Sequence, residues 1–280
     1  MRSLASAALA SPPKGNLLPT VFQSLYNHGI RPRMGTCTML AATPASGKTY
    51  LALKWLKEMG LPTLYFSADA DEATIVERMC SILTGESTDT VAADLRTVEG
   101  KEFHSDNLMD EVPFMRFVFT PDPTYDELVL ELMAFNELEG DYPKVVAIDN
   151  LMNLVGENEN EWGAMRDHTK AVKNLIRTTG AAFFVLHHMS EDVKDPSVPA
   201  PRKSIQGKVS QLPEVILSLA RAGDELRVAT VKNRYGDQSP SGEYYTRLFV
   251  DLDKGQFYDN KHQMLSASQT FDTTPGYLQD

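Results

Sequence analysis

Residues 36–49 read Thr36-Cys37-Thr38-Met39-Leu40-Ala41-Ala42-Thr43-Pro44-Ala45-Ser46-Gly47-Lys48-Thr49, and Tyr50-Leu51-Ala52-Leu53-Lys54-Trp55 follows without a gap. Thr36 to Ala42 has the make-up of a strand buried on both faces. Pro44 and Gly47 interrupt it, and from Lys48 the apolar spacing becomes helical. A strand, a glycine-bearing loop and a helix N-terminus in this order make an anion cradle, because backbone N–H groups and the helix dipole converge on one point. In the stretch Ala42, Thr43, Pro44, Ala45, Ser46, Gly47, Lys48 and Thr49, the Lys48 ammonium is placed for the β and γ phosphates of a nucleotide, and the Thr49 hydroxyl for Mg²⁺. Ala42 stands where the G-x-x-x-x-G-K-[ST] pattern has its first glycine, a place a small residue can take if its φ is negative. A chance Gly-Lys-Thr at an ordinary helix start is the competing reading, and the strand before it argues against that.

Outward from this loop, apolar runs alternate with amphipathic stretches, the pattern of βαβ units and a mostly parallel sheet. Strands are expected at Thr36 to Ala42, Thr63 to Ser67, Met115 to Phe119, Val145 to Ile148 and Ala181 to Leu186. Helices are expected at Lys48 to Met59, Glu72 to Thr84, Tyr125 to Glu139 and Trp162 to Thr178, with a short one near Thr20 to Asn27. Ser190 to Ser210 reads as a long loop, functional or mobile. Val215 to Ala220, Leu226 to Val231 and Tyr244 to Val250 read as strands, with Gly223-Asp224 turning the first into the second. The end of the chain from Asp253 reads as loosely structured.

Three strand ends carry the remaining candidates. Val145-Val146-Ala147-Ile148-Asp149 closes an apolar run with a carboxylate suited to the Mg²⁺ water shell. Leu64-Tyr65-Phe66-Ser67-Ala68-Asp69 offers Asp69 as the base for an attacking water, with Asp71 and Glu72 nearby as alternatives or as helix N-terminal charges. Phe183-Phe184-Val185-Leu186-His187-His188 ends in two histidines, either of which could sense a γ-phosphate. A metal site there lacks further ligands at short spacing.

The 280 residues are 42% apolar and 23% charged, which fits one folded α/β domain with short extensions rather than a disordered or disulfide-rich chain. Cys37 and Cys80 lack metal or redox spacing and read as reduced thiols of a cytosol-like compartment. Residues 1–13 are small and apolar with a single arginine, expected as a flexible arm rather than a signal peptide, and no stretch has the roughly 20 apolar residues that span a bilayer. With 38 acidic against 27 basic side chains the net charge is −11, which excludes coating of nucleic acid through bulk charge. Any DNA contact must be local.

The run from Gly29 to Thr49 resembles the opening of the motor domain of DnaB-type replicative DNA helicases, and the resemblance extends over residues 28–252. It implies an α/β fold, a RecA-like P-loop NTPase with a mostly parallel central sheet flanked by helices and a C-terminal antiparallel hairpin extension. In the family a serine and then an acidic base end the second strand, as Ser67 and Asp69 do here, although the family residue is usually glutamate. The family's sensor is usually glutamine, at the place of His188. Val231-Lys232-Asn233-Arg234-Tyr235-Gly236 resembles a Lys-x-Arg-Asn-Gly segment, so Lys232 and Arg234 would reach the γ-phosphate of the neighbouring subunit. Arg78 matches an arginine near the adenine. Family loops that grip DNA correspond to Gly156 to Gly163, acidic here with Glu157, Glu159 and Glu161, and to Ser190 to Ser210, where Lys194, Arg202, Lys203 and Lys208 are the candidate backbone contacts. From the residues alone these are equally a basic hairpin turn, an exposed helix arginine and a solvated charged loop.

The activity so implied is ATP hydrolysis with Mg²⁺ by a ring-shaped homo-oligomer, a hexamer, moving on single-stranded DNA in replication. A helicase loader or primase would be a further partner, and the location is the cytoplasm, that of the host for a phage-encoded chain. Residues 1–27 are then an N-terminal arm or linker and 253–280 a C-terminal tail, as in a phage or mobile-element version without the N-terminal primase-binding domain. Two other readings stay open: a RecA/RadA-like recombinase or single-strand annealing accessory ATPase, and an ATPase switch that regulates a protein partner. The Lys232-x-Arg234 element favours the ring.

Overall fold

The computed structural model of the chain describes residues 15–155, 161–190 and 195–271, with every side chain in them except those at 161–166, 207–208 and 268–271. At its centre is β1 (Cys37–Ala42), buried at every position. β1 pairs in parallel with β5 (Ala182–His188) on one side and β6 (Val215–Ala222) on the other. Beyond β5 lie β4 (Val145–Asp149), β2 (Thr63–Ser67) and β3 (Met115–Val118), all parallel. Beyond β6 the direction alternates through β7 (Glu225–Asn233), β8 (Thr246–Asp251) and β9 (Gln256–Tyr258). The described residues thus form one nine-stranded sheet, parallel for six strands and antiparallel at the C-terminal edge.

Two apolar layers sandwich this sheet. Leu40 and Ala42 of β1 pack with α1 (Gln23–Asn27), α2 (Lys48–Met59) and α3 (Glu72–Thr84) on one face. Met39 and Ala41 pack with α6 (Tyr125–Glu139) and α7 (Glu161–Thr179) on the other. Burial on both sides makes the strands read as unbroken apolar runs instead of alternating ones. The helix starts follow cap chemistry: Thr124 and Glu127 close a reciprocal capping box on α6, and Asp71 accepts from Thr74 N at 2.8 Å to begin α3.

Several expectations are corrected. Two helices, α4 (Thr88–Asp94) and α5 (Val98–Glu111), fill the stretch before β3 where none was expected. The end of the chain is not loose as far as it is described: β9 extends the sheet and α8 (Lys261–Phe271) follows. Nor are residues 15–27 a mere lead-in, since Leu18, Phe22 and Leu25 are buried. The Phe22 ring meets Trp55 edge-on at 5.7 Å, and Asp259 accepts from Gln23 N and Ser24 N at 3.0 and 2.8 Å. The packed body therefore runs past both ends of 28–252. Within the expected loop, residues 195–211 are folded, with Ala200, Ile205 and Val209 buried and Met189 bridging to Ile205. Residues 1–14, Glu157, Glu159, Lys194, the side chains of Glu161 and Lys208, and residues 272–280 lie outside the described residues.

Phe22 joins the N-terminal segment to both Trp55 and Phe257, so Phe22→Ala is expected to lower unfolding stability by about 3 kcal/mol. A urea midpoint equal to that of the unaltered chain would show that this segment does not pack on the domain.

Candidate nucleotide site

β1 delivers the chain to the top of the sheet at Ala42, where the backbone keeps its extended course. The left-handed conformations fall later in the loop, at Ala45 (φ 58°) and Gly47 (φ 84°), so alanine at position 42 meets no backbone penalty. Ser46 Oγ donates to Thr43 O at 2.8 Å and braces the turn. A Cβ at Gly47 would also stand 2.9 Å from Leu252 Cδ2, so that side chain would have to shift. Leu252, in the turn after β8, rests on the loop.

Lys48 is 7% exposed, and its Nζ has no hydrogen-bond partner. Burial pushes its pKa below the usual lysine value, while the Asp149 and Asp69 carboxylates pull it back up. Thr49 Oγ1 donates to Asp149 Oδ2 at 2.7 Å, and the Tyr65 hydroxyl donates to the same oxygen at 3.0 Å. Asp149 Oδ1 is buried without a partner, and burial raises that carboxyl's pKa against the opposing pull of Lys48. The register Ser67↔Asp149 sets β2 beside β4 so that Asp149 O accepts from Ala68 N and Asp69 N, at 2.6 and 3.1 Å. Asp69 is thereby tied to the strand that carries Asp149, and its Oδ2 lies 3.8 Å from His188 Nε2.

These groups surround a cavity of about 280 Å³ lined by Thr43 to Tyr50 with Asp69, Arg78, His188 and Leu252. The Arg78 guanidinium lies 5.5 Å from the Tyr50 ring centre. A buried ammonium and a buried carboxylate oxygen, each unpartnered, ask for an anion and a cation respectively. A nucleotide phosphate and a hydrated Mg²⁺ held near Thr49 and Asp149 have those charges, so the residues fit both.

Other sequence candidates lie elsewhere. His187 turns away from the cavity, with Nε2 2.9 Å from Gln206 O, and burial pushes its pKa down to about 4. Asp71 is engaged in capping α3. The pairings Val215↔Asn233 and Glu214 N to Cys37 O put Lys232 and Arg234 at the opposite end of the sheet from this chain's own Ala42. Lys232 does not project as expected. It is 8% exposed and donates to Ser210 O and Pro213 O, and burial, with Arg234 and Arg202 nearby, pushes it down to about 8. Arg234 is exposed, with Nη1 3.6 Å from Glu214 Oε1. On the turn Arg202–Ser204, Lys203 is exposed and Arg202 partly so. Tyr65 and Leu252 were missed; a tyrosine inside an apolar strand was a signal for the first, and the second had none.

A phosphate loop between β1 and α2, a buried carboxylate ending β4 and this strand order define a RecA-like P-loop ATPase fold of the replicative-helicase type. The chain belongs to the AAA_25 family (AAA domain), whose profile matches residues 19–193. It is 32% identical over 256 residues to the gene 65 protein of Mycobacterium phage L5, covering 89% of this chain and 95% of that one. A probable plasmid replicative DNA helicase of Chlamydia trachomatis is 26% identical over 236 residues, which span 78% of this chain and 50% of the helicase. Among solved structures, a DnaB-like replicative helicase studied for its interactions with primase superposes with a TM-score of 0.75 at 15% identity, covering 91% of this chain and 66% of that one, a likeness of fold. Among the described residues no helix is long and apolar enough to cross a membrane.

The depressed His187 value makes a pH prediction. Between the ordinary histidine value of 6.5 and about 4 the unfolded chain binds a proton that the folded chain refuses, so stability falls as pH drops through that window. His187→Asn is expected to lose less stability between pH 7 and pH 5 than the unaltered chain, measured as the shift in urea midpoint. Equal shifts would mean that His187 titrates normally in the fold.

Proposed function

We propose that this chain is an Mg²⁺-dependent ATPase motor of the replicative-helicase type, stimulated by single-stranded DNA and working as a ring-shaped homo-oligomer, a hexamer. The observation that carries the reading is the separation of the exposed Arg234 from its own P-loop by the length of the strands, which keeps it out of its own subunit's site and suits it to a neighbour's. The similarity to a plasmid replicative helicase supports DNA as the substrate, and the phage relative suits a protein of the host cytoplasm. A loader or primase is the natural further partner.

Within the subunit, the loop amides and Lys48 hold the β and γ phosphates. Thr49 and Asp149 are the residues that would hold Mg²⁺, with Tyr65 fixing the carboxylate's orientation. When bound, that ion supplies neutralising charge to the phosphate oxygens. Asp69 lines the cavity and orients or deprotonates the attacking water, and His188 beside it senses the phosphate. Arg78 with Tyr50 forms the base-facing wall. From the next subunit, Arg234 stabilises charge in the transferring phosphoryl group, while Lys232 holds its strand end in place from within. Arg202 and Lys203, with Lys194 and Lys208, are the DNA-backbone contacts.

The deciding experiment measures ATP turnover with and without single-stranded DNA, together with unwinding of a fork that carries a 5′ tail. Stimulated turnover and unwinding are expected. Stimulation without unwinding would favour the recombinase reading, and indifference to DNA would overturn both in favour of a protein-directed switch. Lys48→Ala should cut turnover by about a hundredfold or more, and near-normal turnover would remove the phosphate role. Arg234→Ala subunits mixed into unaltered protein should depress activity beyond simple dilution; a strictly proportional loss would rule out a contribution across the interface.

A further inference from the structure

A second cluster lies at the far end of α3, outside the nucleotide site. A Cβ on Gly100 would stand 2.2 Å from the Asp94 carbonyl oxygen, so the end of α4 rests directly on the first turn of α5 at that glycine. His104 is one turn further along the same face of α5. Its side chain is wholly buried, yet neither ring nitrogen has a hydrogen-bond partner. Nε2 stands 3.7 Å from Asp94 Oδ2, and one donor atom each from Glu86, Asp94 and His104 lie within 4.8 Å of one another. Glu86 follows the Gly85 cap of α3, and its carbonyl accepts from Ser81 Oγ at 2.7 Å, which fixes the backbone there.

A buried imidazole with both nitrogens unbonded has lost its hydration without replacement. A 3.7 Å approach to a carboxylate that is 46% exposed replaces little of it. We propose that Glu86, Asp94 and His104 bind a zinc ion that staples α4 and α5 to the end of α3. One imidazole nitrogen and two carboxylate oxygens are a donor set for zinc, with a fourth position left for water, whereas Ca²⁺ and Mg²⁺ prefer oxygen throughout. Ligand atoms around tetrahedral zinc stand about 3.4 Å apart, so small rotations of the two outer carboxylates close the site around the fixed ring. The staple answers a local need: Val91 is the one fully buried residue of α4, and His104 that of α5. A metal bridge would add a cross-link where apolar burial supplies little.

The test titrates zinc chloride into the full chain by calorimetry, in buffer with millimolar Mg²⁺ to occupy the nucleotide-site metal position, and follows thermal melting in parallel. One zinc per chain is expected, with a raised melting temperature. Glu86→Gln and Asp94→Asn, which alter outward-facing carboxylates and leave the core intact, should each weaken binding by about tenfold or more and abolish the thermal shift. His104→Gln should do the same if it folds. Failure of the unaltered chain to bind zinc at micromolar concentrations, or unchanged affinity in the two carboxylate variants, would overturn the proposal.

Discussion

The buried carboxylate of Asp149 organises the site end of this protein. Removing a carboxylate from water is expensive unless hydrogen bonds replace the lost solvent, and here the replacements come from different parts of the fold: the Thr49 hydroxyl at the start of α2 and the Tyr65 hydroxyl on β2. The backbone carbonyl of the same residue holds Ala68 N and Asp69 N. The start of α2 at Thr49, Tyr65 of β2 and the backbone at Asp69 are thus all fastened to one residue at the end of one strand. Parallel pairing of β2 with β4 and of β5 with β1 is what allows those ends to meet.

Much of this architecture could be read in advance because both-face burial writes long apolar runs into the sequence. α2, α3 and α6 begin and end where periodicity places them, helped by cap residues such as Asp71 and Thr124. α4 and α5 escaped because they bury one side chain apiece and so lack an apolar stripe, although Ser87 and Thr97 were legible caps that accept from Thr90 N and Gly100 N. β9 has three residues, too few for any alternation to register.

The site divides in a similar way. The phosphate loop and Asp149 could be recognised because their chemistry demands residues at fixed spacing along the chain. The choice between His187 and His188 could not, since adjacent strand residues point to opposite faces and only the packed sheet shows which face holds the cavity. Lys232 looked like a free basic group until the segment before β6 supplied two carbonyls for it. Leu252 reaches Gly47 from the other end of the domain, a contact that no local pattern encodes.

The antiparallel edge has a mechanical consequence. β8 leads straight into Leu252, seated on the phosphate loop, while its neighbour β7 ends beside Arg234 at the opposite rim. At roughly 3.3 Å per residue, the nine residues of β7 form a strut some 30 Å long, on the order of the width of a small domain. The strand that leads to the loop contact and the strand that carries the arginine are hydrogen-bonded neighbours, so the two rims of the sheet are joined by one continuous piece of ladder.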